Sequence, residues 1–132
     1  MNLNENNINA LLALGRKATD RVLEIYNQAF SVEFKADDSP LTLADQEADR
    51  LFQEGLKQFG LPIVSEEQDF DASQDFSRCW VVDPIDGTKE FVARNGMFTL
   101  NVALIEEGQP VLGLLIAPAY AGQEAGAWLG GP

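Results

Sequence analysis

Histidine is absent from this sequence, and with it the commonest general base near neutral pH and the commonest transition-metal ligand. Any chemistry must run on carboxylates, hydroxyls and hard cations. The single cysteine, Cys79, excludes an internal disulfide and fits a reducing, cytoplasmic setting. No run approaches the ~20 apolar residues of a spanning helix. The Asn-rich start lacks the basic and apolar regions of a secretory leader, so neither stable membrane insertion nor classical secretion is expected. Basic residues are scarce: 9 against 21 acidic ones leave a net charge of -12, which repels phosphate backbones and anionic lipid and argues against a nucleic-acid partner. What is present, 132 residues with 45% hydrophobic side chains, suffices for one modest core and not for two.

The period of the apolar residues predicts the elements. Ile8, Leu11, Leu12, Val22, Ile25 and Tyr26 recur at three- and four-residue spacings across residues 7–30, predicting a long amphipathic helix. Residues 31–40 read as a short extended piece and a turn over 36–40, where Pro40 turns Ser39 away from helical angles. Thr42 and Asp45 form a capping-box pattern. The helix it opens buries Ala44, Ala48, Leu51, Phe52 and Phe59 and stops at Gly60. The apolar runs 61–64 and 79–82 then read as buried strands separated by an acidic, turn-rich loop over 68–78. A short helix over 88–94, capped by Thr88 and leaving through Asn95-Gly96, leads to strands 98–105 and 111–117 joined by a Gly-containing loop over 106–110. The tail 119–132 carries only fragments of an apolar pattern.

The placement of the acids is the informative feature. Glu66, Glu67, Asp83 and Asp86 fall just past the ends of strand-like runs, so neighbouring strands in one sheet would bring them to one edge. Converging carboxylates repel, and a hard divalent cation, magnesium first among them, is the simplest relief. Pro84 breaks the strand between the two aspartates and frees the Ile85 carbonyl as another oxygen ligand. Gly87 then permits a tight turn whose following amides, with Thr88 and Lys89, would hold a phosphate. Each signal alone is ordinary. Asp-Pro and Asp-Gly are turn dipeptides, Asp45 a first-turn dipole partner, Lys35 a solvent-facing cation and Cys79 a buried small hydrophobe.

Their ordered combination is specific. The segments Ser39-Pro40-Leu41-Thr42-Leu43-Ala44-Asp45, Ser65-Glu66-Glu67 and Trp80-Val81-Val82-Asp83-Pro84-Ile85-Asp86-Gly87-Thr88-Lys89-Glu90-Phe91 resemble the inositol monophosphatase family of magnesium-dependent, lithium-sensitive phosphatases. The Lys89-Glu90-Phe91 continuation, Arg94-Asn95-Gly96 and the strand over 98–105 resemble most its bacterial 3'(2'),5'-bisphosphate nucleotidase branch, which acts in sulfur metabolism. The resemblance implies an α+β fold, two helices packed on a largely antiparallel sheet, as the first half of a layered sugar-phosphatase architecture. It implies Glu66, Asp83 and the Ile85 carbonyl as ligands of a first Mg2+, with Asp83 bridging to a second Mg2+ also held by Asp86. Asp45 and Thr88, with Glu66, are the implied catalytic groups, the Thr88–Asp45 pair orienting the attacking water. Glu67 supports them.

The implied substrate is a small phosphorylated nucleotide, adenosine 3',5'-bisphosphate, cleaved to AMP and phosphate. Inositol phosphate or another small phosphomonoester is the alternative within the family, and a non-catalytic magnesium-binding or interaction fragment the alternative outside it. Family members are roughly twice as long, and their second half carries a Trp-Asp motif that completes the second metal site. Trp128 is followed by Leu129 and does not match it. Residues 1–132 are therefore expected to be the amino-terminal portion of the fold, nearly inactive alone, and to associate with a second copy or with a second-half polypeptide.

Overall fold

A computed structural model describes residues 3–28, 32–35, 40–68, 72–118 and 126–130. Asn4 opens the first helix, its side chain accepting from the Asn7 amide 2.9 Å away in place of a missing helical partner. Helix α1 (Glu5–Tyr26) buries Leu11, Leu14, Ala18, Val22 and Ile25. Successive residues are 100° apart around a helix, so Leu12, expected inside, lies off this stripe and is exposed, while Ile8 and Tyr26 are only partly covered. The helix also ends earlier than the expected residue 30: the Asn27 amide closes onto the Leu23 carbonyl at 3.0 Å and the Gln28 amide onto the Ile25 carbonyl at 3.1 Å.

Strands β1 (Val32–Phe34) and β2 (Pro40–Thr42) pair antiparallel as a separate two-stranded ribbon, and the turn expected between them lies outside the described residues. Thr42 then starts helix α2 (Leu43–Leu56) with the predicted capping box. A 3-10 turn (Lys57–Phe59) carries α2 to Gly60, whose left-handed backbone ends it. Phe59 is partly rather than fully buried.

The main sheet has the order β3-β4-β5-β6-β7. Strand β3 (Ile63–Ser65) runs parallel to β4 (Arg78–Asp86), whereas β5 (Thr99–Glu106), β6 (Gln109–Ala117) and β7 (Gly126–Gly130) continue antiparallel. The fold is therefore α+β with a largely antiparallel sheet, as expected. Two details differ. The β5–β6 loop shrinks to Glu107-Gly108, both at positive φ (49° and 76°), because such a two-residue turn matches the twist of the strands it joins. Pro110 joins the strand at a register irregularity, where a residue without an N–H is tolerated. The tail, expected to lack an element, supplies β7, which covers the edge of β6. A five-residue run bounded by glycines shows no alternation, and its strand character comes from the ladder that β6 offers.

Trp80 and Val82 of β4, Leu100, Val102 and Leu104 of β5 and Leu112, Leu114 and Ile116 of β6 form the core with α1 and α2. Two glycines let the layers close. A methyl group on Gly15 would lie 2.9 Å from Ile116 Cδ1, and one on Gly55 would lie 2.3 Å from Leu14 Cδ1, so α1 can approach both sheet and neighbouring helix only where these side chains are missing. On the opposite face Val81, Ala103, Gly113 and Leu115 border a shallow apolar groove of about 420 Å³, with Val81 and Leu115 each 39% exposed. Among the described residues, no helix is long and apolar enough to cross a membrane.

Candidate active site

The parallel pairing of β3 with β4 brings the two acidic segments to one end of the sheet. The Glu66 amide donates to the Val82 carbonyl at 3.2 Å, extending the ladder by one bond and setting Glu66 beside the end of β4. Pro84 does not break β4, contrary to the expectation. The strand continues to Asp86 through a bulge: Asp83 pairs with Asn101 and Asp86 with Thr99, so β4 has one residue more than its partner. Residues three apart on a regular strand point to opposite faces. The extra residue resets that alternation, Pro84 and Ile85 both turn inward, and Asp83 and Asp86 line one cleft.

Gly87, at φ 91°, turns the chain from β4 into helix α3 (Thr88–Ala93). A Cβ there would meet the Met97 carbonyl at 3.1 Å, so the turn demands glycine twice over, for its angle and its clearance. Gly87, not Thr88, is the N-cap, and no side chain caps α3. The Thr88 hydroxyl is engaged elsewhere: it donates to Asp45 Oδ1 at 2.8 Å, with the Ile85 carbonyl 3.4 Å away. Arg94 ends α3 in left-handed geometry, one residue before the expected Asn95-Gly96 exit, and its guanidinium donates to the Tyr26 and Gln28 carbonyls.

Asp45 is fully buried in the first turn of α2. Its Oδ2 accepts from the Thr42 amide at 2.9 Å and the Thr42 hydroxyl at 2.6 Å, and its Oδ1 accepts from Thr88. Its place in the first turn of α2 and its hydrogen bond to Thr88 thus coexist in one carboxylate. The cleft, about 380 Å³, is lined by Lys35, Glu66, Glu67, Asp83, Ile85, Asp86, Gly87, Thr88, Lys89 and Glu90. Every residue proposed for the site from the sequence lines this cleft or, like Asp45, is hydrogen-bonded to a residue that does.

Sequence reasoning missed three contributors. Lys35, expected to face solvent, forms an ion pair with Glu67 at 2.9 Å inside the cleft. Ser65 and Asp49 are buried, and the Ser65 hydroxyl donates to Asp49 Oδ1. Asp49 left a signal in the sequence, an acid four residues after Asp45 on the stripe that carries Ala48 and Phe52. For Lys35 no signal exists, because its partner is thirty-two residues away.

The electrostatics are those of crowded acids. Burial, then the charges of Asp86, Glu66, Glu67 and Asp45, push the Asp83 carboxyl from 3.8 to about 6. Burial also pushes Glu67 upward, and Lys35 offsets this only in part. Burial pulls Lys35 downward, but the Glu67 hydrogen bond and the surrounding acids outweigh it and hold its proton more firmly than usual. The two partners thus shift alike, because the buried acid loses more hydration than one half-open lysine returns.

The donors fit magnesium. Glu66, Asp83, Asp86 and the Ile85 carbonyl are all hard oxygens bordering one open, negatively charged cleft, with neither nitrogen nor sulfur among them. Among the described residues, no three acidic or thiol side chains are gathered tightly enough to enclose an ion by themselves. Magnesium does not require that, since it keeps several waters and is commonly held by one or two carboxylates.

Comparison with known proteins gives the family. The model of the inositol monophosphatase family matches residues 3–132. The 3'(2'),5'-bisphosphate nucleotidase CysQ of Salmonella typhimurium is 45% identical over 125 residues, covering 87% of this chain and 51% of that protein. The crystal structure of CysQ from Bacteroides thetaiotaomicron superposes with a TM-score of 0.74 at 35% identity, over 98% of this chain and 51% of that one. An inositol monophosphatase from Thermotoga maritima superposes with a TM-score of 0.76 at 30% identity, over 96% and 52%. The chain spans about half the length of the curated relatives it matches.

Proposed function

The chain belongs to the inositol monophosphatase family, and from that premise we propose that it is the site-bearing portion of a magnesium-dependent phosphomonoesterase acting on 3'(2'),5'-bisphosphate nucleotides in the cytoplasm. The observation that carries the reading is the Thr88–Asp45 hydrogen bond of 2.8 Å at the wall of the cleft bordered by Glu66, Asp83, Asp86 and the Ile85 carbonyl. The substrate is assigned as adenosine 3',5'-bisphosphate, converted with water to AMP and phosphate. That choice is supported by 45% identity to a protein named as such a nucleotidase.

Glu66, Asp83 and the Ile85 carbonyl would hold a first Mg2+, and Asp83 with Asp86 a second. Bound there, the ions supply charge neutralisation of the phosphoryl group and a more acidic water. The chain's own groups do the rest. Thr88 donates its hydroxyl proton to Asp45, which leaves the Thr88 oxygen free to accept from a water in the cleft and so to aim that water's lone pair at phosphorus. Asp45, already fixed by two Thr42 bonds, is the sink toward which the water's proton moves through Thr88 as the new P–O bond forms and the ester P–O bond breaks, the leaving ribose oxygen taking up a proton from water in the open cleft and Asp45 returning its own to solvent. Gly87, Thr88 and Lys89 border the cleft where the transferred phosphate would sit, Lys89 providing positive charge. Glu67, clamped by Lys35, stays out of the reaction and adds to the field that holds the cations.

The other half of the relatives' length is the occupant we assign to the apolar groove around Val81 and Leu115, on the sheet face away from α1 and α2. The test is phosphate release from adenosine 3',5'-bisphosphate and from inositol 1-phosphate in millimolar Mg2+, with and without a co-expressed second-half polypeptide of a CysQ relative. The expected result is faster turnover of the nucleotide, lost in Asp86→Ala and Thr88→Ala, each by about 100-fold or more. Faster turnover of inositol phosphate would overturn the substrate assignment. Full activity in both variants would overturn the mechanism, and Mg2+ binding without turnover in either preparation would identify a non-catalytic metal-binding chain.

A further inference from the structure

One buried carboxylate has no part in the scheme above. Asp49 follows Asp45 by one helical turn on α2 and is 1% exposed, flanked by the buried Ala48 and Phe52. An acid in such a place is costly unless its oxygens are satisfied. Here both are satisfied by the turn that carries Glu66 and Glu67. Oδ1 accepts from the Ser65 hydroxyl, and Oδ2 accepts from Gln68 Nε2 at 2.7 Å. The Ser65 oxygen in turn accepts from the Glu67 amide at 3.1 Å. Asp49 therefore grips the turn on both sides of its two acids, at Ser65 before them and at Gln68 after them.

We propose that Asp49 is a positioning residue for the metal-binding turn, fixing where Glu66 and Glu67 present their carboxylates to the cleft. Helix α2 then works as a two-point jig. Asp45 holds the start of α3 through Thr88, and Asp49, four residues on and on the same face, holds the end of β3 through Ser65. The Glu66 amide is tied to the Val82 carbonyl. Without Asp49 the turn beyond that tie loses the Ser65 and Gln68 anchors together. The proposal rests on the reading of Glu66 as a metal ligand, so its test reads metal affinity rather than turnover.

The experiment measures Mn2+ affinity by electron paramagnetic resonance, alongside urea unfolding, for the natural chain and for Asp49→Ala, Asp49→Asn, Ser65→Ala, Gln68→Ala and the double Asp49→Ala/Ser65→Ala. Asp49→Ala is expected to weaken Mn2+ binding about 10-fold or more, the range typical of groups that orient metal ligands. Ser65→Ala should weaken it in the same direction, and the double variant should be little worse than Asp49→Ala alone, since both break one chain of bonds. Asp49→Asn should recover much of the affinity, because its oxygen still accepts from Ser65. A merely structural Asp49 would lower the unfolding midpoint and leave the affinity of the folded protein within about twofold, and that result overturns the proposal. Should Asp49→Ala fail to fold, the exposed Gln68→Ala and Ser65→Ala decide, and unchanged affinity in both overturns it equally. The two readings separate on the natural chain: no Mn2+ binding there removes the metal site itself and the positioning role with it. Binding that Asp83→Asn abolishes but Asp49→Ala leaves intact removes only the positioning role.

Discussion

Replacing Asp83 by asparagine should stabilise the metal-free protein at neutral pH and flatten its pH dependence. The Asp83 carboxyl is raised from 3.8 to about 6, first by burial and then by the charges of Asp86, Glu66, Glu67 and Asp45. The folded state thus binds this proton more tightly than the unfolded chain, so stability falls as pH rises from 3.8 toward about 6 and is level above that. At about 1.4 kcal/mol per pH unit a rise of this size is equivalent to ~3 kcal/mol. Asp83 is only half-buried and water screens its neighbours, so the expected cost of ionisation at neutral pH is ~1–2 kcal/mol. Asparagine keeps the shape and cannot ionise. Urea unfolding in a chelator at about pH 5 and about pH 7.5 reads the effect. The natural chain should be less stable at the higher pH, and the variant should exceed it there by ~1–2 kcal/mol while showing a shallower slope. A residual slope is expected from Glu67, whose burial moves it the same way. A natural chain equally stable at both pH values, or an Asp83→Asn slope identical to it, would refute the electrostatic account of the cleft.

Magnesium at 100 times its dissociation constant should add about 2.7 kcal/mol of stability, seen as a rise in melting temperature that Asp83→Asn abolishes. Its apparent affinity should increase as pH rises through about 6, because the ion competes with the Asp83 proton. Gly55→Ala should destabilise by ~1–2 kcal/mol despite its better helix propensity, since the added methyl meets Leu14 Cδ1 at 2.3 Å, and Leu14→Ala in the same chain should relieve the clash, giving a non-additive cycle in urea unfolding. Without a second-half polypeptide, phosphate release should run about 100- to 1000-fold below the complemented protein, the loss expected when one charge at the leaving oxygen is missing.

Legibility followed the range of the interaction. The stripe on α1, the capping box of Thr42 and Asp45 and the β5–β6 hairpin are set by neighbours within a few residues, and each leaves a period or a dipeptide that can be read directly. The acids of the cleft were legible for a different reason. A run of apolar residues that stops at a carboxylate marks the level at which a strand leaves the core, whether or not the strand ends there, and two such levels in parallel register meet. The bulge in β4 was not legible, because Asp-Pro-Ile-Asp fits a strand break as well as a strand with one residue too many, and only the pairing with Asn101 and Thr99 decides. Lys35–Glu67 and β7 are long-range in the same sense: the first depends on where the β1–β2 ribbon lands, the second on a free edge of β6.

The site concentrates repulsion, and the fold meets it by fixing backbone first and side chains second. Glu66 hangs from a ladder bond to Val82, Asp83 and Asp86 from the β4–β5 pairing, and Thr88 from a turn that only glycine can make at residue 87. None of these supports depends on a charged side chain, so the acids can be crowded without the strands coming apart, and burial first, then the repulsion, appears instead as the raised proton affinity of Asp83. A cation that displaces that proton recovers the stored repulsion as binding energy. The same logic explains why α2 carries its two carboxylates on the buried side: Asp45 and Asp49 spend their charge accepting hydrogen bonds from Thr42, Thr88, Ser65 and Gln68, and so stiffen both walls of the cleft from behind. Rigidity from behind and crowding in front would let oxygens alone, with no histidine anywhere in the chain, serve the hard ion proposed for this cleft.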